Sequence, residues 1–370
     1  MDRAMMDGGT GGTPYPSGFQ WPGGPGRKRI NLALQGGGAH GAFTWGVIDK
    51  ILEDGRLEIE AISGTSAGAM NAAVTAAGLV HGGPERARTD LEQFWRTVSN
   101  DAKLSPIQRT LVDVLLSNWS LEYNPALTAF ELLSRVASPY QLNPLNWNPL
   151  RELLERAVDF DAVRACDCVK LFVSATNVHT GRVRVFTGDQ ISADAIMASA
   201  CLPFIFQAVE IDGVPYWDGG YMGNPVLSPF FKGCCANDVM VVQVNPIQRA
   251  ETPRTAREIS DRVNEISFNA PLIRELKHLE FINQCLRRGE LEGLGYNEVF
   301  LHRIGGCDEL IEYGASSKLN AEWQFLCRLR DVGRQTAATW LETGFAHVGQ
   351  RSTLKLQDLY SPGQRQQAVR

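Results

Sequence analysis

Two consecutive strand–turn–helix units, packed into residues 30–73, constrain this chain more than any other feature. Residues 30–34 (INLAL) and 59–62 (IEAI) are short apolar runs of β type, and each ends in a glycine-rich turn that opens into a helical pattern. Strands joined through helices pair in parallel and are covered on both faces. The first turn is Gly36-Gly37-Gly38-Ala39-His40-Gly41; the second is Gly64-Thr65-Ser66-Ala67-Gly68, of the form G-x-S-x-G. In that form small residues let the chain turn sharply from strand to helix and hold a serine hydroxyl exposed at the strand's carboxyl end. Ser66 then sits at a helix N-terminus, where free N–H groups and the helix dipole favour developing negative charge. This is the expected core of a serine acyl hydrolase.

Acyl transfer needs fixed donors for the carbonyl oxygen that becomes negative. Gly36, Gly37 and Gly38 have no side chains to block approach and lie where a helix begins, so they, with His40 and Gly41 of the same turn, are the expected oxyanion hole. The competing reading is a dinucleotide site, because Gly36, Gly38 and Gly41 also satisfy G-x-G-x-x-G after a strand. That fold wants an acidic residue at the end of the second strand. Here the second strand ends in the serine turn, and Glu58 and Glu60 precede its apolar end.

A serine nucleophile also needs a base. His278, His302 and His347 come late enough in the chain, but none lies in a loop signature, and each reads better as structural. The stronger candidate is Asp218, in Tyr216-Trp217-Asp218-Gly219-Gly220. An aspartate followed by Gly219 and Gly220 after a β-like run is presented on a tight turn, and it can take the serine proton if burial raises its pKa.

Strand signals return at 169–175, 183–187, 239–244 and 299–304, with helices expected at 67–79, 84–98, 190–200, 257–288 (interrupted near Pro271) and 316–345. Residues 101–148 differ: rich in Leu, Pro, Asn and Trp and poor in charge, they read as amphipathic helices broken by Pro125, Pro139, Pro144 and Pro149. Core packing is one account of them, and an apolar lid or lipid-facing cap the other. Residues 1–26, rich in Gly and Pro, read as a flexible arm. The basic run 27–29 reads as a solvated strand flank, with lipid phosphate as its other reading.

The net charge of −5 argues against nucleic acid as a partner. Eight cysteines are too few for a disulfide scaffold and lack zinc-ribbon spacing, so free buried thiols, no metal and a cytoplasmic setting are expected. No run approaches the length of a membrane span, and no Sec signal is visible.

Together these residues resemble the patatin-like phospholipase family, whose marks are a Gly-rich oxyanion turn, a G-x-S-x-G turn and a late Asp-Gly-Gly. They stand here in the family's order as Gly36 to Gly41, Gly64 to Gly68 and Asp218 to Gly220, preceded by a further family-like block, 198–206 (ASACLPFIF). The resemblance implies a three-layer α/β/α fold with a mainly parallel sheet over residues 27–370, a helical insertion at about 84–160 and a C-terminal helical region at about 250–370. It implies a Ser66–Asp218 dyad without histidine, an acyl-enzyme, and hydrolysis of phospholipid or other lipid acyl esters without metal or cofactor, peripheral at a membrane or lipid-droplet surface. Many members carry Arg or Lys where this chain has His40, which leaves charge assistance at that position open, because a histidine can be neutral at pH 7; the backbone hole does not depend on it. An acyltransferase, an esterase or polyester depolymerase, and a non-catalytic lipid-binding protein are the alternatives on the same fold. Oligomeric state is not legible in the sequence.

Overall fold

The computed structural model describes residues 26–356 apart from 104, 116, 117, 122, 123, 167, 306 and 307. The arm expected at 1–26 lies outside the described residues, except for its last position.

Eight strands form one sheet: β1 (Lys28–Leu34), β2 (Leu57–Gly64), β3 (Lys170–Asn177), β4 (Val183–Thr187), β5 (Val209–Ile211), β6 (Val214–Asp218), β7 (Asp238–Gln243) and β8 (Phe300–Gly305). Their order is β5-β6-β3-β2-β1-β7-β8, with β4 also on β3. The four central pairings, β3–β2, β2–β1, β1–β7 and β7–β8, are parallel; β4, β5 and β6 join antiparallel. Phe172 and Val173 pair with both β2 and β4, while Ala175 and Thr176 pair with both β4 and β6. A strand residue has only two hydrogen-bonding edges, so β6 lies on the same edge of β3 as β2 and continues where β2 stops.

The helices are α1 (Gly41–Asp54), α2 (Ala67–Ala102), the short α3 (Leu111–Leu115), α4 (Pro125–Leu133), α5 (Pro139–Leu142), α6 (Pro149–Ala157) and α7 (Phe160–Ala165), then α8 (Ala193–Ser199), α9 (Phe230–Gly233), α10 (Ala256–Arg287), α11 (Asp308–Glu312) and α12 (Trp323–Thr343). Side chains alternate across the sheet. Leu32, Leu34, Ile62 and Val242 join α1, α2 and α12 in one core, which includes Phe43, Ala73 and Phe325. Ala33, Ala61, Val239 and Val241 join Phe230 of α9 and Leu272 and Leu276 of α10 in the other. The result is the expected mixed α/β fold, with helices on both faces of a mostly parallel sheet.

The two helices expected at 67–79 and 84–98 are one element broken at Gly83, whose φ of 76° leaves the helical region just before Pro84. In the insertion three of the four prolines start helices rather than break them, and Pro144 lies in a turn after α5. Pro125, Pro139 and Pro149 occupy the first helical turn, where a missing N–H costs nothing, behind Asn124, Ser138 and Asn148 as N-caps. Core packing accounts for little of this region: Val136 is 82% exposed, Leu145 90% and Trp147 68%. Pro271 does not interrupt α10, which runs through it; the carbonyl of Phe268, one turn earlier, accepts a hydrogen bond from Asn224 Nδ2 (3.1 Å). The free-thiol expectation fails for Cys166 and Cys168, which are joined by a disulfide. Cys201, Cys234 and Cys285 are buried and free, and Cys235 is free and exposed.

Candidate active site

Ser66 stands between β2 and α2 with φ 54° and ψ −124°, a left-handed conformation costly for any residue but glycine. The contacts around the turn hold it there. Gly68 packs against the carbonyls of Leu34 and Gln35, and Gly64 against the first turn of α2, so a side chain at either would push the turn out of place. The Ser66 N–H donates to Ser199 Oγ (2.8 Å) at the end of α8.

Asp218 is the last residue of β6 and is buried. Its N–H donates to the Cys201 carbonyl (2.7 Å), and its own carbonyl accepts from Thr176 Oγ1 (2.8 Å). The block at 198–206 therefore grips both residues of the expected dyad, Ser66 through Ser199 and Asp218 through Cys201. Gly219 lies against the Ser174 carbonyl and Gly220 against the Phe268 ring, leaving no room for a Cβ. The loop that follows is fastened beneath the serine turn: Ser63 Oγ donates to the Val226 carbonyl (2.6 Å) and Thr65 Oγ1 to that of Gly223 (2.7 Å).

The Asp218 carboxylate accepts the Gly220 N–H at Oδ1 (2.7 Å), while buried Oδ2 makes no well-formed hydrogen bond to any described residue. Burial pushes its pKa up to about 7; the Gly220 N–H, the Ser66 hydroxyl and the charge of Lys318 each hold it lower than burial alone would. A carboxylate with that pKa, beside a serine hydroxyl, can accept a proton near neutral pH.

In the first glycine turn not every amide is free. The Gly36 N–H donates to Asn224 Oδ1 (2.8 Å). The His40 N–H donates to the Gly37 carbonyl (3.2 Å), and the Gly41 N–H to the carbonyls of Ala39 and Gly38. Gly37 and Gly38 open the 3-10 turn Gly38–His40, where N–H groups have no intrahelical partner. Gly36 passes so close to the serine that a Cβ would lie 2.8 Å from Ser66 Cβ. Gly38 has φ 57° and lies on the Lys318 carbonyl, 2.5 Å from where a Cβ would be. Gly41 packs against Ala67 and Trp95, bringing α1 close to α2. The His40 side chain points into apolar surroundings, edge-on to Phe325 and Tyr313, with Nε2 bonded to Ser317 Oγ (2.8 Å). Burial, then the Lys318 charge, drives its pKa down to about 3, so it is neutral at pH 7.

Two of the three late histidines are engaged elsewhere. His302 is fully buried between Asp238 Oδ1 (2.9 Å) and Thr353 Oγ1 (2.9 Å), His278 lies on the exposed side of α10, and His347 pairs with Arg351. A surface cleft of about 570 Å³, lined by Trp119, Cys327 and Arg328 among others, does not reach Ser66 or Asp218. Ser199, Asn224, Asn245 and Lys318 were not legible as site residues. Their partners are far away in sequence, and an isolated Asn or Lys carries no local signal. Among the described residues no cluster of His, Cys, Asp or Glu could hold a metal ion.

A family model described as patatin-like phospholipase matches residues 32–231, just over half of the chain. No curated protein matches significantly. Among solved structures the chain is similar to VipD from Legionella pneumophila, with 16% identity, a TM-score of 0.32, and coverage of 83% of this chain and 67% of that one. It is also similar to ExoU from Pseudomonas aeruginosa in its complex with SpcU, at 16% identity and TM-score 0.35, covering 86% of this chain and 52% of that one. The chain thus spans about half the length of that ExoU chain. TM-scores this low carry neither fold nor function from one chain to another. The family match does establish membership: the chain belongs to the patatin-like phospholipase family.

Proposed function

We propose that this member of the patatin-like phospholipase family is a serine lipid acyl hydrolase working through a Ser66–Asp218 dyad. The observation that carries the reading is the meeting of Ser66, on its strained turn, with a buried carboxylate whose pKa lies near 7. No histidine accompanies them.

In this reading Ser66 Oγ attacks the acyl carbonyl carbon while its proton passes to Asp218. The carbonyl oxygen, now negative, is held by the N–H groups of Gly37 and Gly38 and favoured by the N-terminus of α2. Collapse of the tetrahedral intermediate breaks the ester bond; the leaving alcohol takes the proton from Asp218, and the acyl group remains on Ser66. Asp218 then accepts a proton from water as its oxygen attacks the acyl carbonyl carbon, and on collapse it returns that proton to the departing Ser66 Oγ, which releases the fatty acid. The neutral, inward-turned His40 takes no part.

Acyl esters at a lipid surface are the substrate class we favour. Leu145, Trp147 and Phe204 are exposed, and the segments carrying them are bonded together: Gln207 Nε2 donates to the Asn143 carbonyl (2.7 Å). Phe204 follows Cys201, which holds Asp218, so the apolar surface lies on the segment that shapes the site. No helix among the described residues is long and apolar enough to cross a membrane; the contact proposed is peripheral.

The test is fluorophosphonate labelling of the full chain with mass mapping, followed by turnover of phospholipid vesicles, acylglycerols and short esters. An adduct on Ser66, lost in Ser66→Ala together with turnover, is expected. Undiminished hydrolysis by Ser66→Ala in folded protein rules the reading out.

A further inference from the structure

Lys318 lies in the 3-10 turn Ala315–Leu319, well outside the residues matched to the family, yet it meets the candidate site at three points. Its carbonyl is the surface on which Gly38 rests. Its ammonium donates to Asn245 Oδ1 (2.7 Å), and Asn245 Nδ2 donates to the Gly36 carbonyl (2.7 Å), so the cation is tied through one residue to the glycine turn. Its charge acts on Asp218 and also on His40, which belongs to that turn.

Holding this charge inside the protein is unfavourable: burial lowers the Lys318 pKa. Asp261 and Glu265 of α10 and Asp218 favour the charged form, while Arg249 opposes it. Glu265 is itself shared between Arg249 and Arg262. Lys318 therefore has no tight ion pair of its own among the described residues. Its one side-chain hydrogen bond among the described residues is to the neutral amide of Asn245, and Asp218 is one of the three carboxylates that its charge meets.

We propose that Lys318 is the positioning cation of this active site, tethering the oxyanion turn through Asn245 and favouring the ionised form of Asp218. The inference rests on the Ser66–Asp218 reading. It gives the site a positive charge from the C-terminal region, where position 40 supplies none. A cation beside the forming oxyanion lowers the barrier to acylation, and the same cation keeps the base ready to accept a proton.

The experiment compares Lys318→Gln, Lys318→Met and Lys318→Arg in the full chain, with a soluble p-nitrophenyl ester, alongside Ser66→Ala. Lys318→Gln removes the charge but carries an amide N–H donor, on a shorter side chain, whereas Lys318→Met removes both charge and donor. Both neutral variants are expected to lower kcat by about 10- to 100-fold with KM changed by less than about twofold. They should move the acidic limb of the kcat/KM profile to higher pH, because removing a cation raises the pKa of Asp218, which Tyr221 and Cys201 also face. Lys318→Arg should restore most of kcat and the limb. Asp261→Asn, which removes an anion that favours the charged form of Lys318, should move the limb the same way by a smaller amount; it is the measurement to rely on if neutral variants fail to fold. An unmoved limb overturns the proposal, even if activity falls, because a purely structural lysine would lower activity without shifting titration. Should Ser66→Ala stay active, it is the dyad that fails, whatever the Lys318 variants do.

Discussion

Gly64 and Asp218 close two strands that meet end to end along one edge of β3: Gly64 pairs with Val173, and Asp218 with Ala175, two residues further on. β2 runs parallel to β3 and β6 antiparallel, so both strands point their carboxyl ends into the same gap. At about 3.3 Å per residue the gap is roughly 7 Å along the strand. The serine turn leaves from one side of it, and the carboxylate arrives from the other. This is how residues about 150 positions apart come to share a proton in the proposed mechanism.

Asp218→Asn should remove activity and make the protein more stable in alkali. The folded pKa, about 7, lies above the ordinary 3.8. The folded state therefore binds the proton more tightly, and stability falls as pH rises from near 4 to near 7. The neutral amide escapes that loss. At pH 8 the variant should gain roughly 2–4 kcal/mol, with no gain at pH 3, as read by denaturant unfolding across pH.

His40 has the opposite sign. Its folded pKa, about 3, lies below 6.5, so the unfolded chain binds the proton more tightly and stability drains away as pH falls from 6.5 toward 3. His40→Gln should lose less stability than the parent between pH 7 and 4.5. Equal slopes in the two proteins would show that the imidazole is not held neutral.

Gly38→Ala should cost about 2 kcal/mol or more, because a side chain at φ 57° is strained and its Cβ meets the Lys318 carbonyl. Turnover should fall as well, since the Gly37 and Gly38 amides would be turned off their common target. Thermal unfolding and kcat on a soluble ester measure the two effects separately.

Replacing Leu145 and Trp147 together by serine removes two of the most exposed apolar side chains. Hydrolysis of vesicle phospholipid should drop by about tenfold, while turnover of a soluble short-chain ester stays unchanged. A parallel fall in both would assign the pair to the fold of the insertion rather than to lipid contact.

Six of the strand positions, the serine turn and the helical pattern between them were legible because each is a local signal: an apolar run, a cluster of glycines, a period; the order of strands in the sheet was not. The hairpin that carries Asp218 also has a local signal. Asp212 and Gly213, both with positive φ, form its two-residue turn, and Asp-Gly between short apolar runs is a strong hairpin signature. Pro271 predicts an interruption because a proline breaks an isolated helix, whereas α10 is held by packing against the sheet.

By itself the sequence determined which residues can turn sharply, which faces must be buried, and which serine and aspartate stand at strand ends. Those follow from φ/ψ freedom and hydrophobic period, which act over a few residues. Only the tertiary structure decided that Asn224 takes the Gly36 amide, that His40 turns inward and stays neutral, and that Lys318 comes to the glycine turn from 280 residues away. Burial, desolvation and the field of a distant charge are properties of the assembled interior.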